Sequence, residues 1–346
     1  MRNHTVSDVR NAFGSVVGTV FIIAAAIIFT VSWQNPVALF SDAVKNYLNV
    51  TGLLMLYGAT AVVLIIDLLA LGWHDSSVRR LISPNVSARI DLLSFLIFSH
   101  LRLGWIFFHV VTFGLFALVG TMVGDWTGSP RALQYIENPL LQFLASMVAR
   151  DFFVYWTHRF QHRVEWLWHQ HTLHHSATQF NVVTVHRVNP LEEQFGSAIS
   201  GFWLALLGTP IETYLLIIFM SQCQQLLIHS GVKWDFGWFG RWIYVSPAYH
   251  RIHHSAEPCH FDRNFSTQLV IWDRMFGTYY VGDKQAIRLG LDDPAHNQGF
   301  LLDIGRTTFY SLKLFLQGLI FAASMIPTLV RAIISFIVGI RSRMRH

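Results

Sequence analysis

Histidines at short, repeated spacings are the residues of this sequence that could do chemistry. Twelve of the eighteen histidines fall between residues 158 and 260, and eight of the twelve form three clusters. The clusters are His158-x-x-x-His162, His171-x-x-His174-His175 and His250-x-x-His253-His254, and a single histidine, His229, lies between the second and the third. Residues three or four apart share one face of a helix, so the imidazoles of each cluster are expected to converge. Because buried imidazoles without partners are costly, metal ligation is the chemistry that explains them.

The number of histidines predicts two metal ions. One zinc ion takes about four ligands, three of them from the protein at a catalytic site, so nine imidazoles are too many for one ion. Two ions would use all nine and keep positions for water, oxygen or substrate. Imidazole suits zinc, copper, iron and nickel alike, so the ligands by themselves leave the metal open. His169, His186 and His260 fall outside the repeated spacing and are weaker candidates.

The composition indicates a membrane protein. The 346 residues are 53% hydrophobic and only 13% charged, whereas a soluble domain carries about 25% charged residues. A net charge of +5 on so apolar a chain does not indicate nucleic acid binding, which needs a basic stripe on a polar domain. The two cysteines, Cys223 and Cys259, form no CxxC pair. A disulfide scaffold, an iron–sulfur cluster and a cysteine zinc site are therefore excluded.

Several apolar stretches are long enough to cross a membrane, and they would place the histidine clusters at its surface. A spanning helix needs about 20 apolar residues, and four stretches qualify: Val16–Trp33, Val50–Trp73, Leu103–Val123 and Pro139–Trp156. A fifth, Phe195–Ile228, is interrupted by Gly208-Thr209-Pro210, which predicts a helical hairpin that returns to the side it left. The tail, Leu312–Ile340, is apolar and is expected to be re-entrant or interfacial.

Basic residues predict the orientation. Arginines cluster before the first stretch and between the second and third (Arg2, Arg10, Arg79, Arg80, Arg89 and Arg102), whereas the opposite side has little more than Lys45 and Arg131. By the positive-inside rule, the N-terminus and every histidine cluster face the cytoplasm.

The predicted fold is therefore an all-α integral membrane protein with about four transmembrane helices, a helical hairpin and a cytoplasmic, histidine-rich di-metal cap. Residues 1–130 are expected to form the N-terminal transmembrane helices and residues 131–285 the catalytic domain. Residues 286–346 are expected to form a membrane-associated tail.

The motifs around the histidines resemble those of a known family. They are Asp151-Phe-Phe-Val-Tyr-Trp-Thr-His158-Arg-Phe-Gln-His162, Trp168-His-Gln-His171-Thr-Leu-His174-His175-Ser176, Arg187-Val-Asn-Pro190-Leu-Glu192, Pro247-Ala-Tyr-His250-Arg-Ile-His253-His254, Asp262-Arg-Asn264 and Trp272-Asp273-Arg-Met-Phe276-Gly277-Thr278. This pattern resembles the fatty acid hydroxylase superfamily, in particular its sterol desaturase branch. His162 and His171 are nine positions apart, which fits that branch better than the longer gap usual in acyl-lipid desaturases.

The resemblance implies a di-iron centre and an oxidative activity on lipids. Its ligands would be His158, His162, His171, His174, His175, His229, His250, His253 and His254. The family uses iron with O₂ to hydroxylate or desaturate lipids, and zinc could replace iron on purification because it lies above ferrous iron in the affinity order.

Neighbouring polar residues are candidates to support the ligands. Asp151 lies two helical turns before His158 on the same face, where a carboxylate could orient the imidazole through its free N–H; a pair with Arg150 is the alternative. Asp262, Asn264 and Glu192 are further candidates. The tryptophans Trp166, Trp168, Trp234, Trp238 and Trp242 are expected to form an interfacial belt.

The sequence thus predicts an iron-dependent lipid hydroxylase or desaturase that takes a sterol-like or long-chain lipid from the bilayer. The chain has no GxGxxG motif after a strand and no cysteine cluster, so electrons are expected from a separate reductase or a cytochrome b5-like or ferredoxin-like carrier. An alkylglycerol-type monooxygenase of the same superfamily and a zinc-dependent membrane hydrolase are the alternatives. Few ionisable residues lie along the predicted spans, and this argues against a function as a metal transporter.

Overall fold

A computed structural model describes residues 50–100, 102–282 and 287–320, with the helical backbone but not the side chains at 50–56, 98–100 and 102–110. The predicted span Val16–Trp33, the basic residues before it, and the tail beyond residue 320 lie outside these ranges.

The described chain is mostly helical, as predicted. In order, the helices are α1 (Val50–Leu71), α2 (Ser77–Ile82), α3 (Val86–His100), α4 (Arg102–Thr127), α5 (Pro139–Arg163), α6 (Glu165–His175), α7 (Pro190–Leu207), α8 (Ile211–Ile228), α9 (Gly237–Trp242), α10 (Pro247–His253) and α11 (Ile271–Met275). Residues 300–320 form a further helix, α12. The described residues contain no β-strand, and two isolated bridges, Tyr244–Leu269 and Ser255–Leu289, join loops.

The helix boundaries follow from local chemistry. The Asn138 side chain accepts a hydrogen bond from the amide of Leu141, and Pro139 occupies the first turn, so α5 begins where a capped helix should. This helix runs past the predicted end of its span, Trp156, and carries His158 and His162 beyond it. The predicted break is confirmed: α7 ends at Gly208, whose φ of +72° is left-handed, and α8 begins at Ile211. The return of the chain to the side it left stays a prediction.

Apolar helices are present, but the number of membrane crossings stays a prediction. Of the described helices, α8 combines 18 residues with a mean hydropathy of 1.3, which is long and apolar enough to cross a bilayer. The apolar stretches Tyr57–Leu71 and Val111–Thr127 are shorter.

Two glycines let α4 and α7 approach each other closely. A Cβ atom on Gly201 would run into the backbone carbonyl of Phe113, and one on Gly120 would run into that of Phe202. Small residues at a helix crossing allow this backbone contact, which is a common way for apolar helices to pack. The crossing fixes α7, and therefore Glu192 in its first turn, relative to the rest of the bundle.

We expect Gly201→Ala to destabilise the protein by about 1–3 kcal/mol, because the added methyl group forces the helices apart. Gly196→Ala on the same helix is the matched control, since a Cβ there meets nothing within 4 Å. Thermal unfolding of both variants in detergent micelles tests the expectation. Equal midpoints for the two variants would contradict a close crossing at Gly201.

Candidate metal centre

The structure brings all nine candidate histidines together in two adjacent groups. The five-histidine group consists of His158, His162, His171, His175 and His253. The four-histidine group consists of His174, His229, His250 and His254. Within each group, one ring nitrogen of every member lies within 4.8 Å of those of the others. The arrangement is that of two neighbouring sites with imidazole donors.

Consecutive histidines point into different groups. His174 and His254 belong to the four-histidine group, whereas their neighbours His175 and His253 belong to the five-histidine group. The rings of His175 and His254 stack with centroids 4.2 Å apart, where the two groups meet. The expectation that His171, His174 and His175 converge on one point is therefore wrong for His174, and each HxxHH motif serves both groups.

Hydrogen bonds at the outer edge of the centre determine which ring nitrogen carries the proton in four of the imidazoles. Four imidazoles donate from Nδ1 to backbone carbonyls: His158 to Phe265 (2.7 Å), His253 to Arg263 (2.9 Å), His229 to Gln225 (2.8 Å) and His174 to Arg187 (3.3 Å). Because a carbonyl oxygen can only accept, Nδ1 carries the proton and Nε2 keeps its lone pair. Metal-binding histidines are normally oriented in this way.

The inward nitrogens lack protons to share. Nε2 of His174 lies 3.1 Å from Nε2 of His229, and both rings carry their proton on Nδ1. Two lone pairs therefore face each other. Buried Nε2 atoms of further members have no hydrogen-bond partner; these are in His162, His175, His253 and His254. Buried ring nitrogens without a hydrogen-bond partner are costly, and a cation between them would remove this cost, so the donor set fits metal ions.

Burial keeps the imidazoles neutral. It lowers the pKa of His229 to about 4 and that of His253 to about 3. Burial and neighbouring imidazoles likewise lower the pKa of six others, namely His158, His162, His174, His175, His250 and His254. Neutral imidazole is the form that ligates metals, so no proton has to leave these rings at neutral pH before a metal binds.

Comparison with known proteins agrees with this site. Residues 143–278, which include all nine histidines, match the family model described as fatty acid hydroxylase. This segment belongs to the fatty acid hydroxylase superfamily. The resemblance inferred from the histidine motifs is thereby confirmed.

The similar proteins are longer than the region they share with this chain. Alkylglycerol monooxygenase of Danio rerio is 36% identical over 144 residues, and that of Xenopus tropicalis is 33% identical over 144; each alignment covers 42% of this chain and 31% of the relative. Ornithine lipid hydroxylase OlsE of Rhizobium tropici is 32% identical over 139 residues, 40% of this chain and 42% of the relative. The chain thus spans about a third of the length of the alkylglycerol monooxygenases. No solved structure gives a significant match.

Asp151 supports the hydroxylase domain indirectly. Its carboxylate accepts hydrogen bonds from the amide of Leu269 (2.8 Å) and from the indole N–H of Trp272 (3.0 Å). His158 donates instead to the carbonyl of Phe265. The predicted direct contact between Asp151 and His158 is therefore corrected: the carboxylate is buried beneath the loop that follows residue 264 and anchors that loop.

Asp262 and Asn264 likewise shape a loop. Asp262 pairs with Arg163 at 3.2 Å on the surface. Asn264 is buried and hydrogen-bonds the backbone of Tyr249 and Tyr280. Both residues have positive φ, +60° and +56°, a conformation that Asp and Asn tolerate better than most residues. Between them lies Arg263, whose carbonyl accepts a hydrogen bond from Nδ1 of His253, so they position a backbone acceptor rather than an imidazole.

Glu192 is the carboxylate that does contact a candidate ligand. Its Oε1 accepts from Nδ1 of His171 at 2.7 Å and from the Gln161 side chain at 3.1 Å. It lies in the first turn of α7, which the Asn189 side chain caps. The sequence offered Glu192 as one candidate among several, and the structure distinguishes it because α7 packs beside α6.

A buried ion pair that sequence reasoning missed holds the end of α6. Arg187 is fully buried and pairs with Asp91 at 3.2 Å. Its guanidinium also donates to the carbonyl of Leu173 (2.8 Å) and the hydroxyl of Ser176 (2.6 Å). Because these residues flank His174 and His175, the pair fixes the direction in which both histidines point. The only signal in the sequence was Arg187 in the Arg-Val-Asn-Pro motif.

The remaining sequence candidates lie elsewhere. His169, His186 and His260 are outside both groups and contact Tyr310, Phe95 and Ser255, respectively. Trp168 packs on His162, with ring centroids 4.9 Å apart. Trp238 and Trp242 are exposed, but Trp234 is buried in an apolar cluster, so the predicted tryptophan belt is wrong for Trp234.

We expect Glu192→Ala to weaken metal binding about 10–100-fold, the usual cost of losing a group that orients a ligating histidine. Glu192→Gln keeps an oxygen that can accept from His171 but removes the charge, so its loss should be smaller. Chelator competition on the purified protein measures both, with the exposed Glu165→Gln as control. Wild-type affinity in Glu192→Ala would contradict the orienting role.

Proposed function

We propose that this protein is a membrane-bound, di-iron, O₂-dependent oxidoreductase that hydroxylates or desaturates a lipid, with residues 131–285 as its catalytic domain. The observation that carries the proposal is the pair of adjacent groups in which deprotonated ring nitrogens face one another without a shared proton. Imidazole donors suit iron, and the superfamily of this segment favours oxidative chemistry over hydrolysis.

The two groups would hold one ion each. Bound iron would supply the reductive activation of O₂ needed to attack an unactivated C–H bond. The four-histidine group offers fewer protein ligands and so leaves more coordination positions for O₂, water or substrate. On that side, the buried ring of Phe180 packs against His229 and His254, with centroids 5.3 and 4.9 Å away, and helps exclude water.

The chain's own contribution is orientation and exclusion of solvent. The backbone carbonyls and Glu192 hold the imidazoles so that their free nitrogens point inward, which avoids reorganisation when metal binds. Electrons are assigned to a separate reductase or to a cytochrome b5-like or ferredoxin-like carrier. The cytoplasmic orientation predicted from the arginines would place the centre within reach of such a carrier.

Oxygen insertion is favoured over desaturation. Two kinds of relative are a monooxygenase of alkylglycerols and a hydroxylase of ornithine lipids. An alkylglycerol-type monooxygenase is therefore the second candidate for this chain, beside oxidation of a sterol-like or long-chain lipid.

Metal content tests the two-ion assignment. Protein purified anaerobically with iron should contain about two iron ions per chain, one for each group. His253→Ala should lower occupancy of the five-histidine group, His174→Ala that of the four-histidine group, and both should abolish activity. His169→Ala, outside the groups, is the control. Full iron content in both ligand variants would refute the assignment, whereas zinc in protein purified in air would not, because zinc binds such donors more tightly than ferrous iron.

Lipid analysis tests the reaction. Extracts from cells with the active enzyme should contain a lipid that has gained one oxygen, and the His174→Ala variant should lack it. Loss of two hydrogens would indicate desaturation, and a cleaved ether-linked chain the alkylglycerol-type reaction; mass spectrometry distinguishes the three. If no lipid changes in an oxygen-dependent way with a competent reductase present, the oxidoreductase proposal fails.

A further inference from the structure

The helix α12 turns its polar side toward the protein. Asp303, Thr307 and Ser311 follow one another at four-residue spacing and are all buried. The Ser311 hydroxyl donates to the carbonyl of Trp166 at 2.8 Å and accepts from the Gln170 side chain at 2.8 Å. The Thr307 hydroxyl accepts from the Asn189 side chain, also at 2.8 Å. Hydrogen bonds thus tie α12 to α6 and to the start of α7.

The opposite side of α12 is apolar and exposed. Leu301 is 79% exposed, Phe309 62% and Ile320 71%. Further large apolar side chains on the same surface are Leu302, Leu312, Phe315, Leu316 and Leu319. A surface helix of a soluble protein has the reverse arrangement, with its apolar stripe toward the core. An apolar surface of this extent needs a covering partner.

The features of this surface favour a lipid bilayer as that partner. Among the residues of α12, one charged side chain, Lys313, is exposed, and its ammonium lies 6.0 Å from the ring of the exposed Tyr310. Lysine beside tyrosine at the edge of an apolar surface is typical of the membrane–water interface, where the long side chain can reach the headgroups.

The extent of exposed apolar surface elsewhere also favours lipid over a second copy of the chain. Large apolar side chains are exposed on α1, α4 and α5 as well, for example at Leu69, Leu118 and Leu141. One partner copy cannot cover the faces of so many helices, whereas a bilayer surrounds them all. The sequence that follows residue 320 is again apolar up to Ile340, apart from Arg331.

We propose that α12 is an interfacial membrane helix that holds the histidine groups at the bilayer surface. Its apolar side contacts lipid, and its polar side hydrogen-bonds to α6, which carries His171, His174 and His175. The helix lies outside residues 143–278, so the match to the fatty acid hydroxylase family does not include it. The proposal deepens the proposed function, because a lipid could then approach the centre without leaving the membrane.

Spin labels on the full chain in lipid nanodiscs test the proposal. In a Cys223→Ala, Cys259→Ser background, single cysteines replace Phe309 and Leu316 on the apolar side of α12. Glu165→Cys, at an exposed polar position at the start of α6, is the matched control. Labels at 309 and 316 should be accessible to O₂ but protected from a water-soluble nickel chelate, and the label at 165 should show the reverse.

The outcomes separate this proposal from the proposed function. Nickel accessibility at 309 and 316 equal to that at 165 would overturn it. Spin–spin broadening between chains at these positions would also overturn it, by showing that a second copy covers the helix. The measurement needs neither metal nor activity, and it is repeated in the His174→Ala variant. If the labels on α12 are exposed to lipid but the wild-type protein binds no iron, the membrane contact of α12 is supported and the di-iron proposal is refuted.

Discussion

Nine clustered imidazoles, eight of them buried, set the constraint on which the rest of the structure depends, because several turn an Nε2 lone pair inward. A buried acceptor that faces another acceptor has lost its hydrogen bond to water and gained repulsion, so cations between the rings would stabilise the folded chain. Burial keeps eight of the nine rings neutral, so these rings would offer dipoles rather than negative charges to two positive ions. The Glu192 carboxylate hydrogen-bonds His171 and would supply negative charge beside a filled centre.

Holding the rings in place is largely the work of backbone carbonyls, which act at fixed geometry and carry no protons. Carbonyls at residues 263 and 265 come from a loop whose left-handed turns at Asp262 and Asn264 aim them inward. The carboxylates of Asp151 and Asp273 hold that loop from beneath; Asp273 accepts from the amides of Phe265 and Ser266 at 2.8 and 2.9 Å. Polar residues near the centre therefore hydrogen-bond mainly to the backbone, and backbone carbonyls in turn orient the histidines.

Segments far away in the sequence also hold α6 in place. The Arg187–Asp91 pair links α3 to the end of α6, and Arg187 also reaches Asn297 at 2.9 Å, just before α12 begins. On α12, the Ser311 hydroxyl donates to the carbonyl of Trp166 at the other end of α6 and accepts from Gln170 in its middle. The helix that supplies three of the nine histidines is thus fixed at both ends by chain segments far away in sequence. Shifts in these segments would change the positions of His171, His174 and His175 without altering any of the nine histidines.

Residue type and short spacing were sufficient to predict which nine histidines come together, the helices that carry most of them, the helix break at Gly208 and the superfamily. These features are local, because a histidine three or four positions from another shares its helical face whatever the rest of the chain does. The division into five and four was decided by the tertiary structure. Adjacent residues on a helix point about 100° apart, so His174 and His175 had to diverge, but which group each joined depended on how α6 packs against α8 and α10. The partners of Asp151, the choice of Glu192 and the pairing of Arg187 with Asp91 likewise depended on packing, since each joins residues separated by at least 21 positions in the chain. Sequence spacing fixes the direction of a side chain along its own helix, and only the packing of helices and loops determines what it meets there.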